Sequence, residues 1–83
     1  MQQEKTALFP AAWRYQSSIG LFEIFFVVDE LYDLWLADEP VGLFDSPEKA
    51  AEAVFHKNTG NEIWDDLLTE FGPVDLSKWE HYQ

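Results

Sequence analysis

Residues 21–28 read Leu21-Phe22-Glu23-Ile24-Phe25-Phe26-Val27-Val28, the stretch with the strongest strand character in this 83-residue chain. Aromatic and β-branched side chains dominate it, and such side chains fit the pleated surface of a sheet. Successive side chains of a strand point to opposite faces of the sheet. The predicted apolar face carries Phe22, Ile24, Phe26 and Val28. The opposite face is mixed, because it places Glu23 beside Phe25.

Three neighbouring runs are also typical of short strands. They cover Trp13 to Ser17, Tyr32 to Ala37 and Val41 to Phe44. The connection Ser18-Ile19-Gly20 is short and contains glycine, which suits a hairpin. Residues 38–40, Asp-Glu-Pro, are typical of a turn. Short strands with tight connections predict an antiparallel meander of three or four strands.

Ser46-Pro47-Glu48 is a strong helix-start signal. The hydroxyl caps free amides, proline needs no amide there, and the carboxylate lies at the positive end of the helix dipole. The helix is predicted from Pro47 to about Lys57, with Gly60 supplying a left-handed stop. Its inner stripe would consist of Ala50, Ala51, Val54 and Phe55. The small members of this stripe allow close packing on the sheet.

The C-terminal part of the chain shows weaker helical patterns. One runs from Ile63 to Phe71 and ends at Gly72-Pro73, and Asp75 to Trp79 could form a last turn. The predicted fold is therefore α+β: a small three- to four-stranded antiparallel meander with one helix packed on it and a short helical C-terminal segment. We expect a flexible leader at residues 1–9 and a single domain over residues 10–83.

Charge is distributed unevenly along the chain. Residues 1–28 are balanced, whereas residues 29–83 carry 14 Asp and Glu against three Lys, the whole formal charge of −11. Nucleic acids and anionic membranes both attract basic surfaces, so neither is an expected direct partner. The absence of Cys excludes disulfides and thiolate metal sites. We find no signal-peptide pattern or membrane-length apolar run, which favours a cytoplasmic protein.

Candidate catalytic groups are few. Glu62, Asp65, Asp66 and Glu70 could form a metal or acid/base cluster, although their spacing also fits a solvated helix face. His56 and His81 are the only histidines. No nucleophile elbow and no glycine-rich phosphate loop is present. We therefore expect a protein that is not an enzyme and has no cofactor or metal.

The mixed sheet face offers a different kind of site. Glu23 and Phe25 would lie beside Asp33 and Trp35 of the next strand, forming an aromatic surface edged with carboxylates. Two alternatives remain open for this face. The segment from Ile63 to Trp79 could fold over it as a third layer, or it could be exposed for a partner or for self-association.

The acidic surface and the aromatic residues favour a small non-enzymatic protein-binding domain that recognises a basic or amphipathic protein surface. The candidate binding residues are Glu23, Phe25, Asp33, Trp35, Glu62, Asp65 and Asp66. One alternative is an inhibitor that mimics nucleic acid to a DNA-binding protein. Another is a peptide-recognition module, because Gly42-Leu43-Phe44 is similar in outline to Gly-Tyr-Phe domains, which hold proline-rich ligands in aromatic grooves. That alternative needs Trp35, Trp64 and Tyr32 to line one groove.

The order of several short motifs resembles a group of short uncharacterised bacterial proteins. These motifs are Trp13-Arg14-Tyr15-Gln16, Gly20-Leu21-Phe22, Gly42-Leu43-Phe44, Ser46-Pro47-Glu48, Ala50-Ala51, Thr59-Gly60, Trp64-Asp65 and Asp75-Leu76-Ser77-Lys78-Trp79-Glu80. The resemblance spans most of residues 13–80 and implies a bacterial source and a free-standing domain. It implies no functional residues, because the group has no assigned activity.

Overall fold

A computed structural model describes residues 12–28 and 30–82, and the leader expected at residues 1–9 lies outside them. Within these ranges the fold is α+β, with one antiparallel sheet, one main helix and two short helical turns. The strands are β1 (Trp13–Ser17), β2 (Gly20–Val28), β3 (Leu31–Leu36), β4 (Glu39–Phe44) and β5 (Glu80–His81). The helices are α1 (Pro47–Phe55) and α2 (Glu62–Asp65), and a 3-10 turn follows at Leu76–Lys78.

The sheet has the strand order β4-β3-β2-β1-β5. The first four strands form the predicted meander, and β5 adds a fifth strand that the sequence pattern does not predict. The β3–β4 turn differs slightly from the prediction, because Ala37 and Asp38 occupy it with φ of 53° and 66°. Positive φ at both central residues matches the twist of a tight hairpin. Glu39 and Pro40 consequently begin β4 instead of forming the turn.

The predicted apolar face of β2 builds the main core. Its buried members are Phe22, Ile24, Leu34, Leu36, Ala50, Ala51, Val54, Trp64 and Trp79. This set joins β2 and β3 to α1, in agreement with the alternation of side chains. The alternation also places Phe26 and Val28 on this face, but they lie outside the core and are about half exposed, at 49% and 51%.

The start of α1 confirms the capping prediction. The Ser46 hydroxyl accepts a hydrogen bond from the Lys49 main-chain N–H at 3.1 Å, and Pro47 takes the first helical position. The helix ends two residues earlier than predicted. Lys57 adopts a φ of 58°, and the Asn58 N–H donates to the Ala53 carbonyl at 2.9 Å. This is the pattern of a Schellman motif, so Lys57 rather than Gly60 stops the helix.

Two substitutions in α1 should damage the fold differently. Ser46→Ala removes the cap and should cost about 1 kcal/mol in the free energy of unfolding. Ala50 is fully buried, so Ala50→Leu should overpack the interface with the sheet and cost about 1–3 kcal/mol. Urea melts measure both changes, and the exposed Glu52→Leu is the matched control. Values within a few tenths of wild type for both variants would contradict this packing.

The long second helix predicted over residues 63–71 is wrong, because α2 is a single turn. The Lys57 ammonium donates to the Trp64 carbonyl at 3.1 Å and also to the Leu67 carbonyl. The Trp64 carbonyl also accepts a hydrogen bond from the Leu67 main-chain N–H at 3.0 Å, a bond between residues three apart instead of the four of an α-helix. The chain thus leaves the helical path after Asp65, and Lys57 binds the carbonyls at this end.

The C-terminal segment packs on the same side of the sheet as α1. The Trp64 ring lies edge-on to Phe22 with centroids 4.9 Å apart, and the Trp79 ring lies 5.8 Å from Tyr15. Leu76 also packs against the main core. The alternative in which this segment covers the mixed sheet face is therefore wrong.

The helices of the described ranges include none with the length and apolar character of a membrane span.

Candidate functional site

The mixed face brings together the four residues that the sequence placed there. Glu23 pairs with Trp35 and Phe25 pairs with Asp33 across β2 and β3. The Phe25 and Trp35 rings meet edge-on at 6.2 Å and form a second, smaller apolar cluster. All four residues are nevertheless buried, with exposures between 4% and 7%. The face is therefore not an open aromatic surface.

The carboxylates of α2 do not converge. Asp65 accepts hydrogen bonds from the Thr59 main-chain N–H and hydroxyl and from the Gly60 N–H, at 2.8–3.1 Å. It therefore orders the loop before α2. Glu62 and Asp66 are exposed. Among the described residues, no group of three or more His, Asp or Glu side chains is arranged to hold a metal ion.

The aromatic groove required by the peptide-module alternative does not form from the predicted residues. Trp64 is fully buried in the main core, and Trp35 belongs to the cluster on the opposite face. Tyr32 is half-buried and packs against the main core. These three rings therefore do not line one groove.

A different groove lies at the β5 edge of the sheet and has a volume of about 550 Å³. Its lining residues are Trp13, Glu48, Asp75, Leu76, Ser77, Trp79 and His81. We call it the acidic aromatic groove. It combines ring surfaces with two exposed carboxylates, those of Glu48 and Asp75, so it can receive a cationic group.

Short elements position each wall of the acidic aromatic groove. Trp13 and His81 are paired across β1 and β5, and their rings stack with centroids 4.7 Å apart and planes 12° apart. Glu48 lies in the first turn of α1, and Asp75 caps the 3-10 turn. Trp79, which follows that turn, also lines the groove and is 5% exposed.

The local hydrogen bonds keep Asp75 ionised. Ser77 donates to its carboxylate from both the main-chain N–H, at 2.9 Å, and the hydroxyl. These bonds lower the pKa of Asp75 below its usual range. Asp75 therefore stays ionised to lower pH than an ordinary aspartate.

Trp79 brings an additional feature to the groove. Its indole N–H is buried and finds no acceptor among the described residues. A buried donor without a partner is unfavourable by about 1–3 kcal/mol, and folded proteins contain few of them. A water molecule or a ligand acceptor would satisfy this donor.

The sequence pattern does not reveal this groove, because its residues also fill ordinary structural roles. Glu48 and Asp75 are typical helix-start residues, and the structure confirms both in that position. Trp13 and Trp79 fit a strand and a final turn, and nothing in their spacing indicates that they meet. The one signal is the placement of Trp13 and Trp79 toward the two ends of the domain, with Asp75 close to the second.

Glu70 fastens the C-terminal segment to the β1–β2 turn. Its carboxylate accepts hydrogen bonds from the Tyr15 hydroxyl and the Ser18 main-chain N–H, each at 3.0 Å, and from the Ser18 hydroxyl. The Ser18 hydroxyl contributes most to lowering the pKa of Glu70 from its usual 4.5. Burial first, and the Glu70 carboxylate second, raises the pKa of Tyr15.

The Glu70 contacts should make stability depend on pH. A lowered pKa means that the ionised carboxylate stabilises the fold, fully above about pH 4.5 and decreasingly as the pH falls below it. Glu70→Gln should therefore lose less than about 1 kcal/mol at pH 7, because solvent screens this partly exposed carboxylate, and less again at pH 3. Urea melts of wild type and Glu70→Gln at both pH values measure this, with the exposed Glu52→Gln as control. An equal loss at both pH values would contradict the ionic contact.

The chain matches no family model, no curated protein and no solved structure. Its function is therefore inferred from the geometry and charge of the acidic aromatic groove.

Proposed function

We propose that this protein is a non-catalytic binding domain that takes a basic segment of a partner protein into the acidic aromatic groove. The observation that carries the proposal is the placement of Glu48 and Asp75 around the stacked rings of Trp13 and His81. Both the carboxylates and the aromatic rings would stabilise a bound lysine or arginine side chain. Its charge pairs with carboxylates, and its cation or planar guanidinium packs on an aromatic ring.

The charge of the chain supports the same ligand. Residues 29–83 carry 14 acidic side chains and three lysines, and Glu62 and Asp66 are among the exposed acidic side chains. Such a field speeds the encounter with a basic partner and suppresses binding of acidic ones. The proposal includes a cytoplasmic setting and no direct binding to nucleic acids or to anionic membranes, both of which this charge would repel.

Binding rather than catalysis is also favoured by the protonation state of Asp75. A general acid at neutral pH needs a carboxyl group whose pKa is raised. The pKa of Asp75 is lowered instead, because Ser77 donates hydrogen bonds to the ionised form. Asp75 is therefore suited to hold a cation and poorly suited to donate a proton.

The proposal predicts that groove carboxylates matter more than other carboxylates. The probe is a short blocked peptide of Ser, Thr and Val with one central Arg, and its affinity is measured by NMR titration. The double variant Glu48→Gln/Asp75→Asn should weaken binding by about tenfold or more, because the guanidinium loses both of its charged partners. Asn can still cap the 3-10 turn at position 75, so the fold should be preserved.

The matched control is Glu62→Gln/Asp66→Asn, which removes the same charge from exposed residues outside the groove. It should weaken binding less than about threefold, because exposed charges act through screened long-range attraction. Equal losses in the two double variants would show that the peptide binds to diffuse charge. No loss in either variant would also contradict the proposal.

A further inference from the structure

The β5 edge of the sheet lies directly beside the acidic aromatic groove. β5 is the last strand in the order β4-β3-β2-β1-β5, so its outer edge has no strand partner within the described residues. His81 belongs to this edge and also lines the groove. The same residue thus connects an open sheet edge with the cationic site.

The register determines which main-chain groups point outward. The Tyr82 N–H donates to the Ala12 carbonyl at 2.7 Å, so residue 82 faces β1. Main-chain groups of a strand alternate between its two edges. His81 lies opposite Trp13, and the residue pairs that flank this pair make the hydrogen bonds between β1 and β5. The N–H and C=O of His81 therefore point away from β1, toward the open edge.

Side-chain direction links this edge to the groove. Residues directly opposite each other in neighbouring strands share one face of the sheet. His81 shares a face with Trp13, as their stacked rings show. A residue placed opposite His81 on an added strand would likewise direct its side chain to the groove side, where Glu48 and Asp75 lie.

We propose that the basic segment binds as an extended strand added to β5, with its main chain paired to His81 and its Lys or Arg opposite His81 in the groove. This inference rests on the proposed function and specifies its binding mode. Strand addition supplies affinity through main-chain hydrogen bonds, while pockets for alternate side chains supply specificity. Charge complementarity with Glu48 and Asp75 selects a basic residue for that position.

The test removes one main-chain donor without removing the strand. His81→Pro deletes the outward N–H, and proline is tolerated on edge strands where the N–H faces solvent. His81→Ala keeps the N–H and removes the imidazole, so it is the matched control. With the central-Arg peptide as probe, His81→Pro should bind about tenfold more weakly than His81→Ala. Equal binding by the two variants would overturn strand addition.

A second measurement uses the wild-type protein and does not depend on the folding of a variant. N-methyl groups are placed at each amide of the central-Arg peptide in turn. Strand addition predicts that methylation of the one amide that donates to the outward C=O of His81 weakens binding while methylation of its neighbours does not, because β5 turns only His81 outward and successive amides face opposite edges. A uniform response along the peptide would overturn the inference.

These results separate the binding mode from the proposed function. If the groove carboxylates are needed but the N-methyl positions respond uniformly, the groove binds the cation without strand addition. If Glu48→Gln/Asp75→Asn has no effect, the proposed function itself fails. The other candidate occupant of the β5 edge is a second copy of the chain, and sedimentation of the protein alone tests for it. A dimer that is lost in the His81→Pro variant would overturn the choice of a basic partner.

Discussion

Trp64→Ala should lose about 3–5 kcal/mol of the free energy of unfolding, as expected for truncation of a buried aromatic side chain. A domain of this length has roughly 4–12 kcal/mol in total, so the variant should be largely destabilised. Trp64 is fully buried, and its indole N–H donates to the Val54 carbonyl at 2.9 Å. The Lys57 ammonium lies 3.8 Å from its ring centroid. Urea melts followed by circular dichroism measure the loss.

The control for Trp64 is its neighbour in α2. Ile63 is 71% exposed, so Ile63→Ala should stay within about 0.5 kcal/mol of wild type, as most surface substitutions do. Trp64→Phe keeps a ring but loses the bond to Val54, and its loss should be intermediate. Comparable losses at positions 63 and 64 would favour a longer helix with both side chains packed, and would contradict the single turn of α2.

Trp35→Ala should also cost about 3–5 kcal/mol, because the residue is buried on the other face of the sheet. Its ring packs edge-on against Phe25, and its strand partner is the buried Glu23. Urea melts of the variant give the loss in stability, and sedimentation gives its state of association. Leu43→Ala is the control, since Leu43 lies opposite Asp33 and is 58% exposed.

The contrary result for Trp35 has a definite meaning. Near-native stability of Trp35→Ala combined with weaker self-association would identify Trp35 as an interface anchor. Near-native stability with unchanged association would leave it as an ordinary exposed aromatic. Either result would contradict the burial of this face.

The sheet and the main helix are predictable because local and long-range preferences agree there. The alternation in β2 places Phe22 and Ile24 on the core face, and the signal at Ser46 gives the start of α1. Where one face of a sheet is buried, a shift by one residue would expose the whole apolar set. The hydrophobic pattern therefore constrains the register strongly.

The C-terminal segment is harder to predict because single tertiary contacts override its periodicity. Residues 63–71 have helical spacing, but α2 ends after Asp65, where Lys57 binds the carbonyls of Trp64 and Leu67. Leu68 and Phe71, which a helix over these residues would place on one apolar face with Trp64, are exposed. A contact made by a lysine side chain up to ten residues away is not visible in a periodicity pattern. The early end of α2 therefore cannot be predicted from the sequence.

The chemistry of the candidate site can be predicted from the sequence, but its location in the fold cannot. Acidic charge and aromatic side chains are both visible in the sequence, yet the groove joins Trp13 to residues 75–81 across almost the whole chain. The contact depends on β5, whose two residues are too few to produce a strand pattern. The mixed face is correctly assembled from Glu23, Phe25, Asp33 and Trp35, but its burial depends on tertiary packing.

The location of the bound peptide decides whether the acidic aromatic groove is the binding site, and the four tryptophan indole N–H signals report it in one NMR titration. With the central-Arg peptide, we expect the signals of Trp13 and Trp79 to shift together, because both residues line the groove. The signals of Trp35 and Trp64, which lie outside the groove, should stay in place. A shift of the Trp35 signal with Trp13 unchanged would place the peptide on the opposite face of the sheet and contradict binding in the groove.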